Sequence, residues 1–168
     1  MLTPKRLFAF LRSSPPQDAY TRAIVVLEGG HCAEALDLLN AALHTATNDG
    51  ERAQILNKRG VALVGLARKD AALADFIEAL ECVPSFVPTV VNIGNLLLED
   101  NAVEEAIEHY AAALRTDETY AYAHRNLAVA YRRAGKRAEA VRSLRAAMRY
   151  ETRAWRLPWE REGTPKMR

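Results

Sequence analysis

The chain has few of the residues that interrupt regular structure, since its 168 residues include only seven prolines and eight glycines. We therefore expect little of it to be loop. Its two cysteines, Cys32 and Cys82, both fall in predicted helices, where a thiol packs as a small apolar side chain. So low a cysteine content excludes a disulfide framework and favours a reducing, cytoplasmic setting. No apolar run approaches the roughly 18 residues that a membrane span needs, so we predict no transmembrane segment.

The sequence also lacks the motifs of common enzyme chemistry. It contains no phosphate-binding loop, no nucleophile elbow, no zinc-protease motif and no C-x-x-C pair. Its adjacent pair of reactive residue types, His31 and Cys32, cannot act as a nucleophile and its base, because neighbours on a helix point about 100° apart. We predict that the protein is not an enzyme and that it has no catalytic residue, metal site or cofactor.

The net charge of +2 hides an uneven distribution. Residues 121–168 contain 13 Lys and Arg against four Glu, whereas residues 13–120 contain seven against 17 Asp and Glu. Such polarity does not specify a fold, but it favours anionic partners for the basic C-terminal third of the chain.

A pattern of small and large apolar residues recurs every 34 residues. Small residues recur where two helices must approach closely, and large ones recur where helices interlock. The recurring positions are Gly60, Gly94 and Ala128; Ala72, Ala106 and Ala140; Ala79, Ala113 and Ala147; and Leu80, Leu114 and Met148. A fixed period of this length is typical of a solenoid built from helix pairs.

These residues resemble tetratricopeptide repeats over most of the chain. The resemblance implies an all-α fold, a right-handed superhelical solenoid of antiparallel helix pairs, with about four repeats. The repeats are expected at about 17–52, which is degenerate, and at 53–86, 87–120 and 121–154.

Two junctions between repeats depart from the family pattern. Asn48, Asp49 and Gly50 are predicted to form a loop that breaks the register between the first and second repeats. Glu118 stands where the family has a closing proline, so we expect the third and fourth repeats to join more continuously.

Two terminal segments lie outside the repeats. Residues 1–16 are predicted to contain a short amphipathic helix that packs on the first repeat or binds elsewhere. Residues 155–168 form a basic tail that we expect to be extended, because Pro158 cannot continue a helix. Trp155 and Trp159 either cap the last helix or anchor a partner.

The resemblance also implies a concave groove lined by the first helix of each pair. Carried onto this sequence, the groove positions that we single out are Asn57, Lys58, Asn92, Asn95, Tyr122, Arg125, Asn126 and Arg133. Asn92 and Asn126 lie one period apart and should stack, with carboxamides suited to the N–H and C=O groups of an extended peptide. The alternative is that asparagine at this place is merely common in the family.

Charge adds a preference to this groove. Arg125 and Arg133 favour a segment that carries Asp or Glu, because an arginine fork can bind a carboxylate through two hydrogen bonds. The outer helices of the middle repeats are acidic, with Asp75 and Glu78 among their carboxylates.

We therefore predict a non-catalytic, cytoplasmic scaffold, adaptor or chaperone-like module that binds a peptide of another protein in its groove. Self-association is left open. The alternative is an anionic partner, namely RNA, DNA or a membrane surface, bound by the basic C-terminal third. Trp155 and Trp159 lie among arginines, as in nucleic-acid binders, but the acidic middle of the chain argues against nucleic acid.

Overall fold

The computed structural model describes residues 18–155, with side chains as far as residue 152. Within this range it contains helices and no strand, so the predicted all-α class is confirmed. The helices are α1 (Ala19–Glu28), α2 (Cys32–Leu43), α3 (Asp49–Gly65), α4 (Lys69–Cys82), α5 (Val87–Glu99), α6 (Val103–Thr116), α7 (Ala121–Arg133) and α8 (Arg137–Trp155). Across residues 18–155, none of them combines the length and the apolar composition needed to cross a membrane.

The chain divides into two compact units after residue 84. In the first unit, α1, α2 and α3 bury a cluster that includes Ala23 and Leu39, and α4 packs on α3. In the second unit, α5, α6 and α7 bury a cluster that includes Tyr110 and Leu127, and α8 packs on α7. Short turns join the helices of each pair, which are therefore antiparallel. The predicted lead-in, residues 1–16, and the tail beyond Trp155 lie outside the described residues.

The helices follow the 34-residue period of the sequence. Helices α4, α6 and α8 begin at residues 69, 103 and 137, and helices α3, α5 and α7 end at residues 65, 99 and 133. The period therefore fixes the turn inside each of the last three helix pairs.

Residues 48–50 are not the loop that we predicted, because α3 already begins at Asp49. The Asn48 side chain caps the helix by accepting a hydrogen bond from the backbone N–H of Glu51 at 2.9 Å. The Glu51 carboxylate in turn accepts from the backbone N–H and the hydroxyl of Thr47, both at 2.9 Å. This arrangement resembles a capping box, and it places Gly50 inside the first helical turn. Helix α3 consequently has 17 residues where α5 and α7 have 13.

The junction between the third and fourth repeats is not continuous, so that expectation was also wrong. Asp117 follows α6 in an extended conformation, with φ −136° and ψ 95°. Val83, which precedes a proline at the equivalent junction, has φ −137° and ψ 93°. Asp117 stabilises this bend without a proline, because its carboxylate accepts hydrogen bonds from the backbone N–H of Thr119 at 2.9 Å and from the hydroxyl of Thr119 at 2.7 Å.

The turn inside each helix pair contains one residue in the left-handed conformation. These residues are Gly30, Ala67, Asn101 and Gly135, with φ of 79°, 57°, 63° and 75°. The backbone hydrogen bonds that close these turns are those of a Schellman motif, in which glycine is the most favourable residue at the left-handed position. One of these four residues is an alanine, Ala67. Its Cβ raises the free energy of the left-handed conformation by about 1–2 kcal/mol.

Replacing Ala67 by glycine should therefore stabilise the protein. Relief of the strain outweighs the cost of about 0.4–1 kcal/mol that glycine adds through the unfolded chain. We expect a net gain of about 0.5–1 kcal/mol in the free energy of unfolding, measured by urea titration. Gly135→Ala is the matched control, because an added Cβ there meets nothing within 4 Å and reports backbone strain alone. It should destabilise the protein, and a loss in both variants would contradict this account.

Two glycines allow an aromatic ring to pack directly on the backbone of the neighbouring helix. A Cβ added at Gly60 would lie 2.4 Å from Cε1 of Phe76, and one added at Gly94 would lie 2.7 Å from Cε1 of Tyr110. Both rings are buried. The recurring glycine of the sequence pattern therefore leaves room for an aromatic side chain from the second helix of the pair.

Candidate functional site

Three asparagines of the second unit form a connected group, which we call the asparagine cluster: Asn92 and Asn95 on α5, and Asn126 on α7. The Asn126 side chain donates a hydrogen bond from Nδ2 to Oδ1 of Asn95 at 2.7 Å. Nδ2 of Asn95 lies 3.4 Å from Oδ1 of Asn92 and 3.4 Å from the hydroxyl oxygen of Tyr122. Asn92 and Asn126, which we predicted to stack from the repeat spacing, are therefore connected by hydrogen bonds through Asn95.

Tyr110 fixes this cluster to the core of the unit. Its ring is fully buried against Gly94, and its hydroxyl donates a hydrogen bond to Oδ1 of Asn95 at 2.9 Å. Burial raises the pKa of Tyr110, so the hydroxyl stays protonated and remains a donor. We did not single out Tyr110 from the sequence. The available signal was that tyrosine replaces Phe76 of the second repeat, because a buried hydroxyl needs a polar partner.

The cluster opens into a cavity of about 270 Å³ between α5 and α7. Its lining residues are Asn95, Leu98, Glu99, Tyr122, Asn126, Val129 and Arg133. Asn95, Tyr122, Asn126 and Arg133 are among the groove positions that we singled out from the resemblance. Arg133 is held over the end of α5, because Nη1 of its guanidinium donates to the carbonyl oxygen of Leu98 at 2.5 Å.

Arg125 points to a different neighbour. Its guanidinium forms an ion pair with the carboxylate of Glu151 on α8, and it does not line the cavity. Next to it, His124 stacks on the ring of Tyr150 with 5.4 Å between ring centroids, and its Nε2 lies 2.9 Å from the carbonyl oxygen of Glu118. These contacts give His124 a packing role and tie Arg125 to the α7/α8 pair.

The predicted groove residues Asn57 and Lys58 lie on α3 of the first unit. Asn57 is 5% exposed, and Lys58 is half-buried. Because Asn57 is buried, its side chain offers too little accessible surface to bind a ligand. The groove that we propose below therefore does not include Asn57.

Asp75, one of the carboxylates of the acidic outer helices, is buried inside the first unit. It is 5% exposed, and its carboxylate accepts two hydrogen bonds from Arg59, at 2.6 and 2.7 Å. Arg59 also donates to Oδ1 of Asn40 at 3.2 Å, and the hydrogen bonds from Arg59 to Asp75 raise the pKa of the guanidinium. The ion pair between Arg59 and Asp75 thus joins α3 to α4 inside the first unit.

No three His, Cys, Asp or Glu side chains within the described part of the chain come together as a metal site. Cys32 and Cys82 are free and half-buried.

Tetratricopeptide profiles match the chain in three places. A profile described as tetratricopeptide repeat matches residues 20–85, one described as TPR repeat matches residues 94–135, and a further tetratricopeptide repeat profile matches residues 123–153. Together they extend over both units.

Similar solved structures include those of MamA and YrrB. A crystal structure of MamA matches with a TM-score of 0.64 at 18% identity, covering 89% of this chain and 87% of that one. YrrB, described as a TPR protein with an unusual peptide-binding site, matches with a TM-score of 0.60 at 23% identity, covering 80% of this chain and 68% of that one. At these identities the likeness shows the fold.

Proposed function

Because the chain is a tetratricopeptide repeat protein, and hence a scaffold for protein interactions, we propose that it binds an extended peptide segment of a partner at the asparagine cluster. One observation carries the proposal. Asn126 and Asn95 line an open cavity while a chain of hydrogen bonds anchors them to the buried hydroxyl of Tyr110. Side chains held in this way lose little entropy when a ligand binds, which favours affinity.

The cluster has the hydrogen-bonding groups that a peptide backbone requires. Each carboxamide carries two N–H donors and an acceptor oxygen, and the bond from Asn126 to Asn95 uses one donor of Asn126. The remaining groups of Asn126 can pair with a backbone C=O and N–H, because Asn126 is half-buried beside the cavity. The peptide-binding site named for YrrB makes the same use of the fold plausible.

An acidic side chain of the partner should lie against Arg133. The hydrogen bond from Arg133 to the carbonyl oxygen of Leu98 uses one of the five N–H groups of the guanidinium, and it holds the guanidinium at the cavity. Leu98 and Val129 supply the apolar surface beside it. Arg125 contributes less to this preference, because a ligand would have to displace Glu151.

Asn126→Ala should weaken peptide binding at least about fivefold, because each neutral hydrogen bond that it removes is worth about 1 kcal/mol. Arg133→Glu should weaken it more than about tenfold, since a bond to a carboxylate is lost and a like charge is introduced. The measurement starts from a displayed library of random short peptides selected on the wild-type chain. Titrations of the selected peptides with each variant, at low and high salt, then give the affinities. The effect of Arg133→Glu should shrink as salt rises.

Arg115→Glu on α6 is the matched control, because it makes the same charge change at an exposed position of the same unit. It should leave the affinity nearly unchanged. Selected peptides that bind Asn126→Ala and Arg133→Glu as they bind the wild type would contradict the proposed groove.

A second candidate is recognition of an anionic partner through the basic C-terminal third. Helix α8 favours it, because Arg142, Arg145 and Arg149 are all exposed. Titrations with a single-stranded RNA, a DNA duplex and phosphatidylserine vesicles test this candidate. If replacing these three arginines by glutamine abolishes binding while Arg133→Glu has no effect, the second candidate replaces the groove.

A further inference from the structure

Helix α8 presents three large apolar side chains on one exposed face. Val141, Leu144 and Met148 are 49%, 48% and 59% exposed. Their spacing of three and four residues places them in a row along the helix, which we call the α8 stripe. The stripe lies beside the face that α8 buries against α7 through Ser143 and Ala147.

Two residues at positions equivalent to Leu144 are buried by neighbouring helices. Leu144 corresponds by the 34-residue period to Tyr110 on α6, which is 0% exposed and packs in one cluster with Leu127 of α7. In the first unit, Leu39 of α2 is likewise 0% exposed and packs with Ile55 of α3. In both cases a residue from the first helix of the following pair packs in the same cluster. The geometry of the α8 stripe is therefore that of a surface made to receive a helix.

The charge beside the stripe selects among helices. Arg145 lies one turn from both Val141 and Met148, and Arg142 and Arg149 extend the same exposed flank. The guanidinium of Arg142 forms an ion pair with the carboxylate of Glu139, with 3.7 Å between nitrogen and oxygen. A helix that lies in the stripe would bring its own flank next to these arginines, so carboxylates there would be attracted and lysines repelled.

We infer that the α8 stripe docks an acidic amphipathic helix supplied by a partner protein, at a site separate from the asparagine cluster. The chain's own tail is a poorer occupant, because residues 156–168 contain four Lys and Arg against two Glu. An anionic membrane has suitable charge, but a row of three apolar residues buries too little to hold one. The proposal does not depend on peptide binding at the groove.

The test uses the full chain and two synthetic helices of about 20 residues, because shorter isolated helices are marginal in water. Both present leucine and alanine with the spacing of Leu127 and Ala130 of α7, and they differ in carrying either Glu or Lys beside this face. Fluorescence anisotropy gives the affinities. The Glu helix should bind at least about tenfold more tightly than the Lys helix, and its affinity should fall as salt rises.

Met148→Glu should weaken the Glu helix about tenfold or more, because it puts a carboxylate in the contact. Val141→Glu repeats the test at a second place in the row, and circular dichroism checks that both variants fold. Ala71→Glu on α4 is the matched control at an exposed site and should stay within about twofold of the wild type.

Several results would overturn the inference. Equal affinity for the two helices would remove the charge selection, and unchanged binding by both stripe variants would place the contact elsewhere. Tighter binding of the Glu helix by Trp159→Ala would identify the tail as the occupant. A wild-type dimer that Met148→Glu converts to monomer would identify a second copy. Binding to phosphatidylserine vesicles that Met148→Glu abolishes would identify a membrane surface.

Discussion

Gly60→Ala should destabilise the protein by about 2 kcal/mol, although alanine is the better helix former. The added Cβ would lie 2.4 Å from Cε1 of Phe76, whose side chain is 1% exposed and has no room to turn away. Overpacking of this kind costs about 1–3 kcal/mol and occasionally more. The gain in helix propensity is at most about 1 kcal/mol. The clash should therefore dominate the free energy of unfolding, measured by urea titration followed by circular dichroism.

The chain contains the compensating change at equivalent positions. The first repeat has Ala23 with Leu39, both fully buried in one cluster, where the second has Gly60 with Phe76. Phe76→Leu alone should cost about 1 kcal/mol, because it removes buried surface. Combined with Gly60→Ala, it should recover most of the stability, with a coupling of about 2–3 kcal/mol in the double-mutant cycle. Strictly additive losses would show that the two residues do not share this space.

The sequence predicted most of the fold because the core repeats at a fixed interval. The small residues at 72, 106 and 140 all lie in helices that begin at equivalent places. It failed where local capping competed with composition. Gly50 looked like a turn residue, but the hydrogen bond from Glu51 to Asn48 starts a helix around it. Such a bond depends on side-chain geometry, which a residue pattern does not contain.

The candidate site was predictable in position but not in connectivity. The resemblance to tetratricopeptide repeats placed Asn95, Tyr122, Asn126 and Arg133 on one surface, and the structure brings these four to one cavity. It could not show that Tyr110 anchors them through its hydroxyl. A repeat template assigns positions within a repeat, whereas such contacts join residues of different helices, and their partners follow only from packing.

The ion pair of Arg59 and Asp75 is a second contact of this kind, and removing its carboxylate should destabilise the protein more than Gly60→Ala does. Asp75 is nearly inaccessible, with a side-chain exposure of 7%, and that of Arg59 is 21%. Truncating one partner of a buried pair costs about 3–5 kcal/mol, because the other charge remains without compensation. The lower end of this range applies, since Arg59 keeps some contact with water and its bond to Asn40.

Asp75→Ala should therefore lower the free energy of unfolding by about 3 kcal/mol, measured by urea titration. Glu78→Ala is the matched control, because Glu78 pairs with Arg52 between the same two helices, but with side-chain exposures of 37% and 42%. Its loss should be much smaller, since water screens an exposed pair. Replacing Asp75 and Arg59 together by leucine and methionine should recover most of the stability, because no uncompensated charge is left. Equal losses in Asp75→Ala and Glu78→Ala, or a double variant no more stable than Asp75→Ala, would show that the burial of this charge does not govern the stability of the α3/α4 pair.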